Sequence, residues 1–365
     1  MASPKKLILV VGATGAQGLP VVASLLAPSK DGTPSPYAVR ALTRDPTSER
    51  AVQLKNAGAE LFKGDQDLPN NEQLLNIAAG SFENVQDIIG AYQGCYGAFI
   101  NTDTFTVGQQ REIYAAIQWY EYAHREGSMR HFVWSGLDYS SKLGSYQLKY
   151  KAEHLDAKGI FNDFLRYQPS VPEGDGLTWS IVTTGPYIEG LRTPFLGPLK
   201  ERDENGAVVF AIPVGNGHVP IISLRDIGWW VRYTFDHRAE QSGKELKIAT
   251  EMLNWDTLAE TFTRVTGIPS VHKRLEVDEY LDLLKGLEAI PVAEEEKGRG
   301  PSVRDTFSGM YWTWRDNLLT RDMDWLRKVY PEGYTLESWI RETGYDGSQA
   351  PSVLKGERIG AALRK

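Results

Sequence analysis

Residues 5–20, Lys-Lys-Leu-Ile-Leu-Val-Val-Gly-Ala-Thr-Gly-Ala-Gln-Gly-Leu-Pro, constrain the fold more than any other stretch of the chain. Leu7 to Val11 are apolar without alternation, the pattern of a strand buried on both faces of a parallel sheet. Gly12, Gly15 and Gly18 follow at three-residue spacing, and the apolar stretch Val21 to Ala27 is compatible with a helix. Strand, glycine turn and helix are the context a dinucleotide fingerprint requires. Gly12 lets the chain turn tightly off the strand. Gly15 lets backbone N–H groups approach a pyrophosphate, and Gly18 lets the helix lie close to the sheet. The helix N-terminus adds unpaired donors and a positive dipole end. Thr14, Ala16 and Gln17 fill the turn and belong to the same expected cofactor contact.

A chain of 365 residues suits one large α/β domain with an appended lobe, or two domains. It can bury an ample core without metal or disulfide. The single cysteine, Cys95, excludes an intramolecular disulfide and fits a reducing compartment. A net charge of −7 argues against direct nucleic-acid binding. No run of about 18 apolar residues is present, so no membrane span is expected. Lys5 and Lys6 before an apolar stretch mimic a signal peptide, but Gly12 interrupts the stretch, which the first strand already explains. The expectation is a soluble, cytoplasmic protein, with the nucleus as a further compartment, and its oligomeric state stays open.

Strand and helix signals alternate over residues 1–190, the expected Rossmann-type domain with a doubly wound parallel sheet. The second strand, Tyr37 to Thr43, ends at Arg44. An acidic residue there would grip a ribose 2′-OH, whereas an arginine pairs with a 2′-phosphate. Thr43 and Arg44 therefore point to NADP(H), although Arg44 could equally be a solvated loop arginine. A short third strand, Ala59 to Lys63, leads to Asp65 and Gln66, which would either contact the adenine or cap the next turn. Residues 72–93 read as helical, Tyr96 to Asn101 as the fourth strand and Gln109 to Glu126 as an amphipathic helix. Asn101, Thr102 and Asp103 would reach the carboxyl edge of the sheet, where ligands bind in open α/β folds. Arg130 to Trp134 is the fifth strand, ending in Ser135-Gly136, and Thr178 to Thr184 the sixth, ending in Gly185-Pro186-Tyr187. Between them, a helix entered through Ser145 to His154 is expected to run to about Lys158.

Residues 191–365 are expected to form a smaller α+β lobe with a loosely held tail, and a strand near 245–250 is expected to return to the main sheet. Short strands flank the turn Gly215-Asn216-Gly217, Asp226 is expected to cap a helix, and Trp255 to Thr266 reads as another. The aromatic-rich stretch 305–345 reads as core between lobes, with an aromatic-walled pocket as the alternative.

Together these pieces resemble the NmrA-like branch of atypical short-chain dehydrogenases. The resemblance rests on Val11-Gly12-Ala13-Thr14-Gly15-Ala16-Gln17-Gly18, on Val39 to Pro46, on Gly58-Ala59-Glu60, on Gly64 to Asp67 and on Val133 to Leu137. It covers roughly residues 5–340, and the turn-rich stretch 166–176 and the extended tail depart from it. It implies a Rossmann-type NADP(H)-binding domain and a substrate cleft between two lobes. It also places Lys151 on the family's lysine. Pro186 and Tyr187 join the expected cofactor contacts. Some relatives reduce small aromatic substrates with NADPH, while others bind the dinucleotide and report it to protein partners.

Short-chain dehydrogenases use Tyr-x-x-x-Lys, in which the lysine helps the phenol to donate a proton. Here Tyr146 precedes Lys151 by five residues, so that motif is absent at these positions. Three readings follow. The first is an NADPH-dependent oxidoreductase on a small aromatic or heterocyclic molecule, with Lys151 as proton donor and Tyr146 nearby. The second is a non-catalytic NADP(H) sensor that docks on a protein partner. The third is a biosynthetic cyclase-type enzyme that retains bound NADP(H). The six histidines show no ligand spacing, and no metal is proposed.

Overall fold

The computed structural model describes residues 4–63 and 82–349. The first part of the chain alternates β1 (Lys6–Val11), α1 (Gly18–Leu26), β2 (Tyr37–Leu42), α2 (Glu49–Asn56), β3 (Glu60–Phe62), α3 (Val85–Tyr92) and β4 (Gly97–Ile100). It continues through α4 (Thr104–Val107), α5 (Gln109–Arg125), β5 (His131–Gly136), α6 (Ser140–Leu143), α7 (Glu153–Arg166) and β6 (Thr178–Thr183). Beyond it lie β7 (Val208–Phe210), β8 (Val219–Ile221), α8 (Leu224–Asp236), α9 (Arg238–Gln241), β9 (Lys244–Lys247), β10 (Glu251–Leu253) and α10 (Trp255–Thr266). The chain closes with β11 (Ser270–His272), α11 (Val277–Leu283), α12 (Val303–Arg315), α13 (Met323–Val329) and α14 (Leu336–Thr343).

Seven strands form one sheet in the order β3-β2-β1-β4-β5-β6-β9, and every pairing is parallel. This is the Rossmann-type doubly wound arrangement, with its reversal of strand order between β1 and β4. The unbroken apolar run of β1 is explained by burial on both faces. Ile8 and Val10 pack with Val21, Val22 and Leu25 of α1 and with Trp230 of α8. Leu9 and Val11 face Ile88, Trp119 and Phe161 on the other side. A third core, with Trp255, Phe262, Tyr311, Trp314 and Trp339, holds the C-terminal lobe.

The chain returns to the sheet after leaving it. A Cβ on Gly228 would come within 2.4 Å of the Pro20 carbonyl oxygen, so α8 lies backbone to backbone on α1. The strand β9 then pairs with β6.

Several local expectations are corrected. The segment before α7 is not helical from residue 145. Ser145 and Tyr146 have φ of 53° and 59°, residues 148–150 make a single 3-10 turn, and the helix starts at Glu153. The short strands expected on either side of the Gly215 turn are present as β7 and β8, and they pair elsewhere, β7 with β11 and β8 with β10. Ser223, not Asp226, caps α8, its hydroxyl accepting from the Asp226 amide. The Asp226 carboxylate instead accepts from the Thr250 hydroxyl and the Tyr334 amide, tying the last part of the chain to α8. Asp65 and Gln66 lie outside the described residues.

Candidate cofactor and active site

At the end of β1 the backbone reverses through Gly12, whose φ is +74°. The Gly15 amide donates to the Gly12 carbonyl at 2.9 Å, closing the turn. A Cβ on Gly18 would stand 2.2 Å from the Gly12 oxygen, and one on Gly12 would stand 2.8 Å from the carbonyl of Asn101 at the end of β4. Only glycine permits both approaches. The result is a backbone cradle at the N-terminus of α1, at the point where the strand order reverses. It fits the pyrophosphate of a dinucleotide.

Cations gather one strand further along the edge. Arg44 is exposed just past β2. Arg50, in the first turn of α2, donates to the carbonyl of Thr14 within the glycine turn at 3.1 Å. Lys63, after β3, acts electrostatically on Asp45. The Asp45 carboxylate is spent locally, accepting from the amide and hydroxyl of Thr47, and these bonds hold it below the usual carboxylate range. The Thr43 hydroxyl bonds the Asp45 backbone. Arg44, Arg50 and Lys63 are the residues of this edge that could hold an anion. Arg50 and Lys63 were not singled out from the sequence, because neither stands in the strand-end position that selects the cofactor.

On the other side of the cradle, Gln17 is buried and bridges three elements. Its Nε2 donates to the Tyr187 hydroxyl at 2.9 Å, and Ser135 Oγ donates to its Oε1 at 2.7 Å. Burial pushes the Tyr187 phenol up to about 12. Pro186 supplies a carbonyl that fixes the segment before α8 through the Ile222 amide. The buried Thr184 hydroxyl, at the end of β6, has no hydrogen-bond partner.

The lysine brought to this edge is Lys158. Its Nζ donates to the carbonyls of Thr102 and Ser135, each at 3.2 Å, and stands 3.2 Å from Glu112 Oε1. It therefore sits at the ends of β4 and β5. Four residues earlier, one helical turn away, stands His154. His154 Nδ1 is buried without a hydrogen-bond partner, and its ring lies 5.2 Å from that of Phe105 and 6.4 Å from that of Phe307 in the C-terminal lobe. Desolvation pulls the imidazole down to about 4, against the opposing charges of Asp156 and Asp103. The signal was legible as His-x-x-x-Lys, the i to i+4 spacing that puts both side chains on one helix face. It escapes a search keyed to tyrosine.

Lys151 and Tyr146 are placed elsewhere. Lys151 stands before α7, its Nζ bonded to Gln109 Oε1 at 2.8 Å and to Asp156 Oδ2 at 2.9 Å. Tyr146 is 65% exposed, with its ring edge-on to Tyr139. Among the described residues no group of His, Cys, Asp and Glu side chains could hold a metal ion. No described helix is long and apolar enough to cross a membrane.

Residues 4–298 match the model of the NmrA-like family. The chain is 28% identical over 310 residues to the NmrA-like family domain-containing oxidoreductase malD of Malbranchea aurantiaca, covering 77% of this chain and 80% of that protein. It is 26% identical over 309 residues to the oxidoreductase hkm9 of Aspergillus hancockii, covering 81% and 82%. Among solved structures it resembles NmrA, a negative transcriptional regulator in complex with NAD, with a TM-score of 0.68 at 20% identity over 93% of this chain and 95% of that one. It also resembles the Citrobacter sp. triphenylmethane reductase complexed with NADP(H), with a TM-score of 0.63 at 13% identity over 92% and 99%. At these identities the structural likeness establishes the fold.

Proposed function

The chain belongs to the NmrA-like family, and from that premise we propose that it is an NADP(H)-dependent oxidoreductase acting on a small aromatic or heterocyclic molecule between its two lobes. The observation that carries this reading is the gathering of three features on one sheet edge. These are the glycine cradle, the cations Arg44 and Arg50, and the buried Lys158. The cradle would hold the pyrophosphate and the arginines a 2′-phosphate, as a planar guanidinium fork suits a phosphate. Bound NADPH would supply the hydride.

In this reading Lys158, rather than Lys151, meets the nicotinamide ribose, and His154 takes the place of the usual tyrosine. His154 is neutral at pH 7 and offers a ring N–H to a substrate oxygen or nitrogen as negative charge builds there. Ser135 orients the same group, once its hydroxyl leaves Gln17. Phe105, Phe307 and Phe195 give the substrate flat apolar walls, with Phe195 and Phe307 rings 5.1 Å apart.

The relatives malD and hkm9 are named oxidoreductases, which supports catalysis here. One observation favours a sensor instead: the aromatic rings of the two lobes pack on each other and on His154, in the space a substrate would need. Stopped-flow mixing of the NADPH-loaded protein with quinones and imines separates the readings. Oxidation of bound NADPH that falls at least tenfold in His154→Phe supports the enzyme. No oxidation by any acceptor, with NADPH still bound, supports the sensor.

A further inference from the structure

Glu112 lies in the first turn of α5 and is fully buried. Its two oxygens accept from the hydroxyls of Thr102, at 2.5 Å, and of Thr104, while Oε1 faces Lys158 Nζ at 3.2 Å. A buried ion pair costs desolvation on both sides, and well-packed apolar side chains commonly serve stability as well or better. The pair is instead arranged around one feature, the ammonium of Lys158 at the carboxyl ends of β4 and β5. The other contacts of that ammonium, to the Thr102 carbonyl and hydroxyl and to the Ser135 carbonyl, run from 3.2 to 3.3 Å, at the long end for hydrogen bonds. A proton held so loosely can be turned to a hydroxyl that arrives at this edge.

We propose that Glu112 is a positioning residue for the cofactor: its carboxylate holds the Lys158 ammonium aimed at the ribose hydroxyls of the bound dinucleotide. The inference rests on the reading of this edge as the NADP(H) site. Among the described residues, the titratable groups facing Lys158 are Glu112 of α5 and His154 of its own helix. The strands β4 and β5 present Thr102, Ser135 and the face of Trp134, 4.7 Å from Nζ. In Glu112→Gln the ammonium keeps only neutral acceptors, and the charge-assisted contact that fixes its direction is lost.

The test is NADPH affinity, read by fluorescence from pH 6 to 9, in the wild type, Glu112→Gln, Lys158→Met and the pair Glu112→Met with Lys158→Met. Glu112→Gln is expected to bind NADPH about tenfold more weakly than the wild type, as for the loss of one charge-assisted bond. The loss should depend on the lysine, so the pair Glu112→Met with Lys158→Met should bind NADPH no more weakly than Lys158→Met alone. The double Met variant keeps the test open if the single variant fails to fold. It is expected to melt near the wild type yet bind NADPH at least tenfold more weakly. Wild-type affinity in Glu112→Gln at every pH, or in the double Met variant, overturns the proposal. Failure of the wild type itself to bind NADPH overturns the cofactor reading beneath it, a distinguishable result.

Discussion

Single residues carry the strongest constraints at the cofactor edge. Gly18 has no room for a side chain, since a Cβ would meet the Gly12 oxygen at 2.2 Å and the Ala13 Cα at 2.5 Å. Gly18→Ala must push α1 off the sheet, and such overpacking costs about 1–3 kcal/mol or more. The expected result is a lowered melting temperature together with loss of NADPH binding. In the proposed NADP(H) site, Arg44 and Arg50 would act on affinity instead. Arg44→Ala combined with Arg50→Ala is expected to weaken NADPH binding at least tenfold, leave NADH binding within about twofold and hardly change melting. Equal weakening of both cofactors would remove the arginines from 2′-phosphate recognition. Arg44 was legible because it stands at the strand end. Arg50 was not, because its relevance arises only when α2 folds back to place it against Thr14.

At the scale of elements, the first strand, the glycine turn and α1 were fully legible, since each depends on residues adjacent in the sequence. The helix Trp255–Thr266 was legible for the same reason, with Asn254 as its cap. What local pattern could not supply was pairing. The strands β7 and β8 stand on either side of one turn, but each finds its partner at least 30 residues further on, where packing of the C-terminal lobe decides. The β5–α7 connection failed for another reason. Asp156 accepts from the amide and hydroxyl of Ser141 and from Lys151, and the chain reaches α7 through the short helix α6 and a 3-10 turn rather than through one continuous helix. Lys158 stands beyond the positions that a Tyr-x-x-x-Lys pattern reaches from Tyr146 or Tyr150. A further element-level consequence concerns α2, whose cap is the Ser48 hydroxyl, accepting from the Ala51 amide. Ser48→Ala is expected to destabilise the protein by about 1 kcal/mol and, by loosening the turn that carries Arg50, to weaken NADPH more than NADH. Unchanged affinity for both would show that Arg50 does not depend on the cap.

Across the whole molecule, the last part of the chain straps the lobe to the sheet. The Arg321 side chain, fully buried, donates to the Ile248 and Thr184 carbonyls and to Asp138, which also holds Lys247. Burial alone would raise the Asp138 carboxyl, but Arg321 and Lys247 hold it below the usual range. Buried histidines set the response to acid. Desolvation lowers His131 to about 3 and His154 to about 4, so both fold as neutral rings. The unfolded chain takes up their protons below about pH 6.5, so the stability they contribute is whole above that pH and is lost as the pH falls toward 4. Glu189 works in the opposite sense, because burial raises it to about 7. Its contribution is whole below about pH 4.5 and is lost as the pH rises through 7. Denaturant titrations are therefore expected to show stability falling from pH 6.5 to 4, with a shallower slope in His131→Asn. An unchanged slope would show that His131 does not set the acid limb.

The sheet edge built from Gly12, Arg44, Arg50 and Lys158 is proposed to bind NADP(H). Calorimetric titration of the purified protein with NADPH and with NADH tests it most directly. Saturable binding of one equivalent of NADPH, at least tenfold tighter than NADH, is the predicted result. Equal affinity for the two would contradict the 2′-phosphate site, and no heat from either would contradict the claim as a whole.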